Sequence, residues 1–172
     1  MSFWNTSRIT DMRMVFYNRR SFNEDISRWN VENVTEMSCI FHRALHFNQD
    51  IGQWDVSNVT NMSCLFDESS QFNSAIGQWN VSQVRYMSGM FNRASAFNQD
   101  IGQWNVSNVT DMRTMFYKAR CFNQDIVRWN VGKVTNMSSM FDGATEFVQD
   151  IGQWDFSSVK YMRAMFGRVD DD

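Results

Sequence analysis

Apolar residues recur along this chain with a period of 25 residues. The period is marked by tryptophan, which stands at Trp4, Trp29, Trp54, Trp79, Trp104, Trp129 and Trp154 with no insertion or deletion between them. Self-similarity at a fixed period of this length is the signature of stacked-repeat proteins. The sequence therefore predicts a single solenoid domain over residues 1–172, built from seven 25-residue repeats without distinct caps.

Two apolar patterns follow each other within a unit, whose positions are numbered here from its Trp as position 1. From Trp54 to Ser57, apolar and polar residues alternate, which is typical of a short strand with one buried face. Further along the unit, Met112, Met115 and Phe116 stand at i, i+3 and i+4, the spacing of one helix face. Each unit is therefore predicted to hold a strand, a turn, a short helix and a return loop.

Stacking these predicted units gives a fold class. Parallel strands pair about 4.8 Å apart, whereas packed helices prefer roughly 8–10 Å, so the stack should bend. We therefore expect an α/β repeat solenoid of the leucine-rich-repeat kind, a right-handed superhelix with a parallel β-sheet on its concave face and short helices on its convex face. Because Trp and Val two residues later share one strand face, the Trp series is predicted to be core and not a sugar-stacking ladder.

The repeat resembles a known family. Its Ile-x-x-Trp-x-Val-x-x-Val spacing is similar to the Leu-x-x-Leu-x-Leu frame of leucine-rich repeats. Residues 54–63 (WDVSNVTNMS) and 97–104 (FNQDIGQW) look like the BspA-like repeat of bacterial and protist surface proteins, which also occurs in mycoplasma lipoproteins. The resemblance covers nearly the whole chain and implies a surface-exposed or extracellular protein that adheres to host or matrix and has no enzymatic role. No signal peptide, lipobox or anchor is recognisable in the sequence.

Composition narrows the function classes. The formal net charge is −3, so no strong basic field points to nucleic acid. Apolar runs are only a few residues long, which argues against direct membrane insertion. Cys39 and Cys64 occupy the same position in adjacent units and could pair, although free thiols are the favoured interpretation.

The solvent-facing side of the predicted strands is the main binding hypothesis. Rows of short polar groups at strand spacing could bind protein or polysaccharide through the concave face, or could simply satisfy one another. These candidate binding residues are Gln53, Asp55, Ser57, Gln78, Asn80, Ser82, Gln103, Asn105 and Ser107.

Catalytic and metal chemistry is not indicated. His42 and His46, the only histidines, lie four apart on one predicted helix, but no third ligand is apparent and surface positions are expected for both. The recurring return-loop aspartates are predicted to cap turns, with calcium binding as the alternative. No arrangement of acid, base and nucleophile is found, so the sequence predicts neither an enzyme nor a cofactor.

A structural role is the alternative function. Exposed Tyr and Arg are enriched at protein contacts, and the candidate partner contacts are Tyr17, Arg19, Arg20, Tyr86, Tyr117 and Tyr161. The first unit is basic, whereas the last is followed by Asp170, Asp171 and Asp172. With no distinct caps, the sequence also suggests end-to-end self-association, as in a scaffolding subunit of a larger complex or filament.

Overall fold

The 25-residue units lie as successive coils of one stack in the computed structural model, which describes residues 4–167. Backbone hydrogen bonds join equivalent positions of neighbouring coils: the amide of Thr60 donates to the carbonyl of Thr35, and that of Thr110 to Arg85, both at 2.9 Å. Each coil therefore packs directly on the coil before it and the coil after it. The acidic run at Asp170, Asp171 and Asp172 lies outside the described residues.

The predicted fold class is wrong. No helix occurs in residues 4–167, and there is no β-sheet among them. Strand pairing is confined to isolated parallel bridges at position 8 of the coils, between Asp11 and Glu36, Glu36 and Asn61, Asn61 and Tyr86, Tyr86 and Asp111, Asp111 and Asn136, and Asn136 and Tyr161. The α/β solenoid with a concave parallel sheet and convex helices is therefore not what this chain forms.

The predicted helix fails because alternate backbone amides bond to the next coil. The amide of Cys64 donates to the carbonyl of Ser88 at 2.8 Å, while that of Leu65 turns back three residues to Met62 at 3.2 Å. A run of turns replaces the helix, and it requires left-handed backbone at positions 11 and 15, which non-glycine residues adopt at a cost. The non-glycine residues with positive φ are Met14, Asn18, Cys39, Arg43, Cys64, Glu68, Arg93, Thr114, Lys118, Ser139 and Ala164.

The predicted strand fails because its polar residues bend the chain. At position 2 of the third coil, Oδ1 of Asp55 accepts a hydrogen bond from the amide of Ser57 at 3.0 Å, closing an Asx turn. Two residues later the amide of Val59 donates to the carbonyl of Val56 at 2.9 Å. The backbone therefore satisfies itself within the coil and has no extended segment to contribute to a sheet.

The core contains stacked aromatic columns. Within the fourth coil, the ring centroids of Phe91 and Phe97 lie 3.8 Å apart. Phe91 also stacks on Phe66 at 5.7 Å and on Phe116 at 5.6 Å in the flanking coils. The Trp, Val, Met, Phe and Ile positions are buried throughout the middle of the stack, which confirms their prediction as core. The residues at these positions that are exposed are Trp4, Ile9, Met162 and Phe166.

Polar groups inside the stack are hydrogen-bonded. The indole nitrogen of Trp79 donates at 3.1 Å to the carbonyl of Ile51, which lies three residues before the preceding Trp. Trp54, Trp104, Trp129 and Trp154 repeat this bond to the corresponding Ile. Ser69 is fully buried where most coils have Ala, and its hydroxyl donates to the carbonyl of Phe41 at 2.6 Å. Each indole thus links two coils as well as filling the core.

Candidate functional site

A polar groove runs across the second to fifth coils where the return loops turn into the next Trp. It consists of two adjoining depressions of about 350 and 250 Å³ that share Asp100. The residues of this polar groove are Asp50, Gly52, Gln53, Ala75, Gly77, Gln78, Gln99, Asp100, Gly102, Gln103, Asp125 and Arg128. Seven of these twelve residues carry a carboxylate or a carboxamide, at positions that repeat from coil to coil.

Glycine lets the coils come together along the floor of this groove. A Cβ on Gly102 would collide with the carbonyl oxygen of Asp125 in the following coil, and a Cβ on Gly77 would collide with the carbonyl of Asp100. Gly152 differs, because the nearest atom to its Cβ would be the side-chain oxygen of Asp150 at 3.1 Å. The absence of a Cβ at Gly77 and Gly102 thus permits this close approach between backbones, whereas Val127 holds the same position in the fifth coil.

The aspartates of the groove cap turns, as the sequence predicted. Oδ1 of Asp100 accepts the amide of Gly102 at 3.0 Å, and Oδ1 of Asp125 accepts that of Val127 at 3.0 Å. The same bond recurs at Asp25, Asp50 and Asp150. Each side chain is thus held in one orientation by the backbone it caps, so the row of carboxyl groups is pre-organised. Within residues 4–167, no group of three His, Cys, Asp or Glu side chains is placed to hold a metal ion.

The predicted binding residues divide between two settings. Gln53, Gln78 and Gln103 are exposed and line the polar groove. Asp55, Asn80 and Asn105 are exposed too, but the side chain of each accepts a hydrogen bond from the amide of the serine two residues later. Those serines, Ser57, Ser82 and Ser107, are partly buried in the resulting turns. Hydrogen bonds from the Ser57 hydroxyl and amide hold the pKa of Asp55 below its ordinary value. Without a sheet, these nine residues do not form the concave face that the sequence suggested.

The predicted partner contacts lie at two different positions of the coil. Tyr86 and Tyr161 occupy position 8 and are 48% and 62% exposed. Tyr17 and Tyr117 occupy position 14, where Tyr17 stacks on His42 at 4.6 Å and Tyr117 lies beneath Arg93 and Lys118. Arg19 and Arg20 are exposed in the first coil. These tyrosines therefore form two separate columns and not one patch.

A charged cluster at positions 14 and 15 was missed from the sequence. Nδ1 of His42 lies 3.0 Å from Oδ2 of Asp67, and the two side chains are only 15% and 11% exposed. Beside them, Nε of Arg43 bonds Oε2 of Glu68 at 2.9 Å, and Arg93 lies 3.5 Å from the same carboxylate. The expected surface position of His42 is therefore wrong, whereas His46 is exposed.

The cluster shifts the pKa values of its two carboxyl groups in opposite directions. Burial raises the pKa of Asp67, although the nearby His42 opposes this effect. The hydrogen-bonded Arg43 guanidinium lowers the pKa of Glu68. The signal that could have revealed the cluster is the exact 25-residue offset between His42 and Asp67 and between Arg43 and Glu68. The cluster joins the second, third and fourth coils by charge on the outside of the aromatic core.

The chain matches one protein family model. The family described as "Mycoplasma protein of unknown function, DUF285" is matched by residues 1–99 and again by residues 70–171. No curated protein matches the chain. Within residues 4–167, no helix is long and apolar enough to cross a membrane.

Proposed function

The chain belongs to the DUF285 family, and from this premise we propose that it is a non-enzymatic binding module of a cell-surface or extracellular protein. The two family matches together span almost the entire chain, so the whole stack is made of this repeat. The BspA-like character of residues 54–63 and 97–104 supports adhesion as the finer assignment. Its expected partners are proteins or polysaccharides of a host or matrix.

The polar groove is the surface proposed to bind them. The observation that carries this proposal is the repetition of side chains along the groove. An exposed glutamine and a turn-capping aspartate recur there in successive coils, as with Gln78, Asp100 and Gln103. An extended polymer presents the same hydroxyl or amide groups at regular intervals, so one ligand repeat can meet one coil. Many weak, pre-oriented hydrogen bonds then add along the groove.

A matched pair of variants tests this proposal. The groove variant carries Gln78→Lys and Gln103→Lys; the control carries Gln71→Lys and Gln83→Lys, which are exposed glutamines that do not line the groove. Both variants have the same change in charge and the same number of altered glutamines. Arrays of polysaccharides and of extracellular matrix proteins identify a ligand of the unmodified protein, and titration then gives its Kd with each variant.

The groove variant should weaken binding by about tenfold or more, since two hydrogen-bonding side chains are lost at about 1 kcal/mol each. The control should stay within about twofold of the unmodified protein. Equal affinities for both variants would refute the groove as the binding surface. Cleavage of surface protein by protease added to intact producing cells tests the location separately, and complete protection of the chain would contradict it.

A scaffolding role is a second candidate, favoured by the exposure of Tyr86 in the middle of the chain. Tyr86 and Tyr161 stand at the same position three coils apart, so they could present two aromatic contacts to one neighbouring subunit. Light scattering over a concentration series tests this role. Assemblies that dissociate on Tyr86→Ser would support it, and a monomer at every concentration would contradict self-assembly.

A further inference from the structure

Cys39 and Cys64 occupy position 11 of the second and third coils and are held in register by the backbone. The amide of Cys39 donates to the carbonyl of Ser63 at 2.9 Å, and that of Cys64 donates to Ser88 at 2.8 Å. Their φ angles are 57° and 54°, so both side chains leave the coil from the same left-handed backbone geometry. The two thiols are therefore direct neighbours along the stack.

The column at position 11 is narrow enough for bond formation between adjacent coils. Gly89 follows Cys64 in this column, and a Cβ built on it would lie only 3.1 Å from the Cys64 sulfur. The side chain of one coil thus reaches the Cβ of the next. By the same geometry the Cys39 side chain lies against Cys64, whose own thiol donates to the carbonyl of Ser88 at 3.7 Å. Closing a disulfide therefore requires the two side chains to rotate toward each other.

The two thiols are chemically unequal. Contact with the Cys64 thiol lowers the pKa of Cys39, whereas the same contact and burial raise the pKa of Cys64. Both are partly exposed, so a small reagent can reach them. Because the thiolate is the nucleophile in thiol–disulfide exchange, Cys39 is the attacking thiol and Cys64 the resolving one.

We propose that Cys39 and Cys64 form a redox-active dithiol that low-molecular-weight disulfides convert into a reversible disulfide between the second and third coils. The Cys39 thiolate attacks one sulfur of oxidised glutathione, forming a mixed disulfide and releasing one glutathione thiolate. Cys64 loses its proton to solvent and attacks the Cys39 sulfur, which releases the second glutathione. The protein loses two protons and two electrons, and one oxidised glutathione becomes two reduced molecules.

The disulfide would link two coils whose backbones are already joined by hydrogen bonds, as between the amide of Cys39 and the carbonyl of Ser63. Its opening and closing would change how firmly the two coils are joined without removing a core side chain. The proposal is independent of the groove and its ligand.

Intact-protein mass spectrometry tests the dithiol in a Cys121→Ser background, which removes the exposed third thiol. Folded protein is equilibrated with mixtures of oxidised and reduced glutathione, and the same mixtures are applied in denaturing urea. The folded protein should lose two hydrogens without gaining glutathione, and digestion should yield a linked Cys39–Cys64 peptide. The effective concentration of the pair should be roughly tenfold or more above the value in urea, where a flexible loop holds it near the millimolar range.

Single substitutions supply the controls. Ser139 occupies position 11 naturally, so Cys39→Ser and Cys64→Ser should fold, which tryptophan fluorescence checks. In the Cys121→Ser background, each should stop at a glutathione adduct. Persistent adducts on the protein that has both thiols, or an effective concentration no higher than in urea, would overturn the proposal.

Discussion

Thr114 provides a direct test of the coil geometry because a β-branched side chain stands there on left-handed backbone. Its φ is 52°, and Gly89 occupies the same position of the preceding coil at 62°. An L-residue in this conformation costs roughly 1–2 kcal/mol, and β-branched residues adopt it least readily. Replacing Thr114 by glycine removes this cost.

The net gain in the free energy of unfolding is smaller than the strain energy that glycine removes. Glycine also gives the unfolded chain more freedom, which takes back about 0.4–1 kcal/mol. Little else is lost: the Thr114 hydroxyl donates only to the carbonyl of its neighbour Arg113, and the backbone bond from Thr114 to Ser138 does not involve the side chain. Thr114→Gly should therefore raise the free energy of unfolding by about 0.5–1 kcal/mol.

A helix at this place would give the opposite order of stability. In a helix interior, glycine is about 1 kcal/mol worse than alanine, so Thr114→Ala would be the more stable variant. On the left-handed backbone of this coil, Thr114→Gly should be more stable than Thr114→Ala, because alanine keeps the Cβ. The order of these two variants separates the two geometries without needing absolute values.

Urea unfolding followed by tryptophan fluorescence measures the difference, and a thermal melt should shift upward by roughly 1–4 °C for a chain of this size. Thr110→Gly is the matched control. Thr110 has no positive φ, and its hydroxyl donates to the carbonyl of Arg85 at 3.2 Å, so glycine should destabilise the protein there. The reasoning is refuted if Thr114→Gly proves less stable than Thr114→Ala. It is also refuted if Thr114→Gly lowers the free energy of unfolding as much as Thr110→Gly does.

Three further predictions concern packing and charge. Phe91→Ala should lower the free energy of unfolding in urea by about 3–5 kcal/mol, because Phe91 is fully buried. Phe166 stands at the same position but is 55% exposed, so Phe166→Ala should lower it by less than about 2 kcal/mol. Equal losses for the two variants would contradict a continuous aromatic stack. Gly102→Ala should lower the melting temperature more than Gly152→Ala, because only the Cβ added at position 102 collides with the backbone of the next coil. The reverse order would contradict this close approach of the coils. Burial raises the folded pKa of Asp67, so its contribution to stability is lost as pH rises from about 4 through that folded pKa. Asp67→Asn should therefore gain stability relative to the unmodified protein over this interval in unfolding measured against pH, and a difference independent of pH would contradict the buried carboxylate.

Much of the packing could be predicted from the sequence. The Trp, Val, Met, Phe and Ile positions recur without a shift, so each faces the same environment in every coil, and their burial follows from apolar spacing alone. The Asx turns at the return-loop aspartates were also predictable, because a short carboxyl group caps its own backbone. Gln53, Gln78 and Gln103 were selected for a strand face that does not exist, yet they line the polar groove.

Contacts between coils were harder to predict. The solvent-facing assignment of His42 failed because its partner, Asp67, stands 25 residues away and is reached only when two coils stack. Each residue of the pair looks like a surface charge within its own unit. Reading equivalent positions of adjacent units side by side would have shown the pairing.

The sequence by itself determined the period, the identity of the core and the local turns. Those properties depend on residue type and spacing, which every unit repeats. The tertiary structure alone decided where the backbone hydrogen bonds go. The i, i+3, i+4 spacing of Met112, Met115 and Phe116 suits both a helix and a series of turns. In the stack, the amide of Phe116 bonds the carbonyl of Met140 in the next coil at 2.9 Å, so the neighbouring coil supplies the acceptor that a helix would have supplied four residues back.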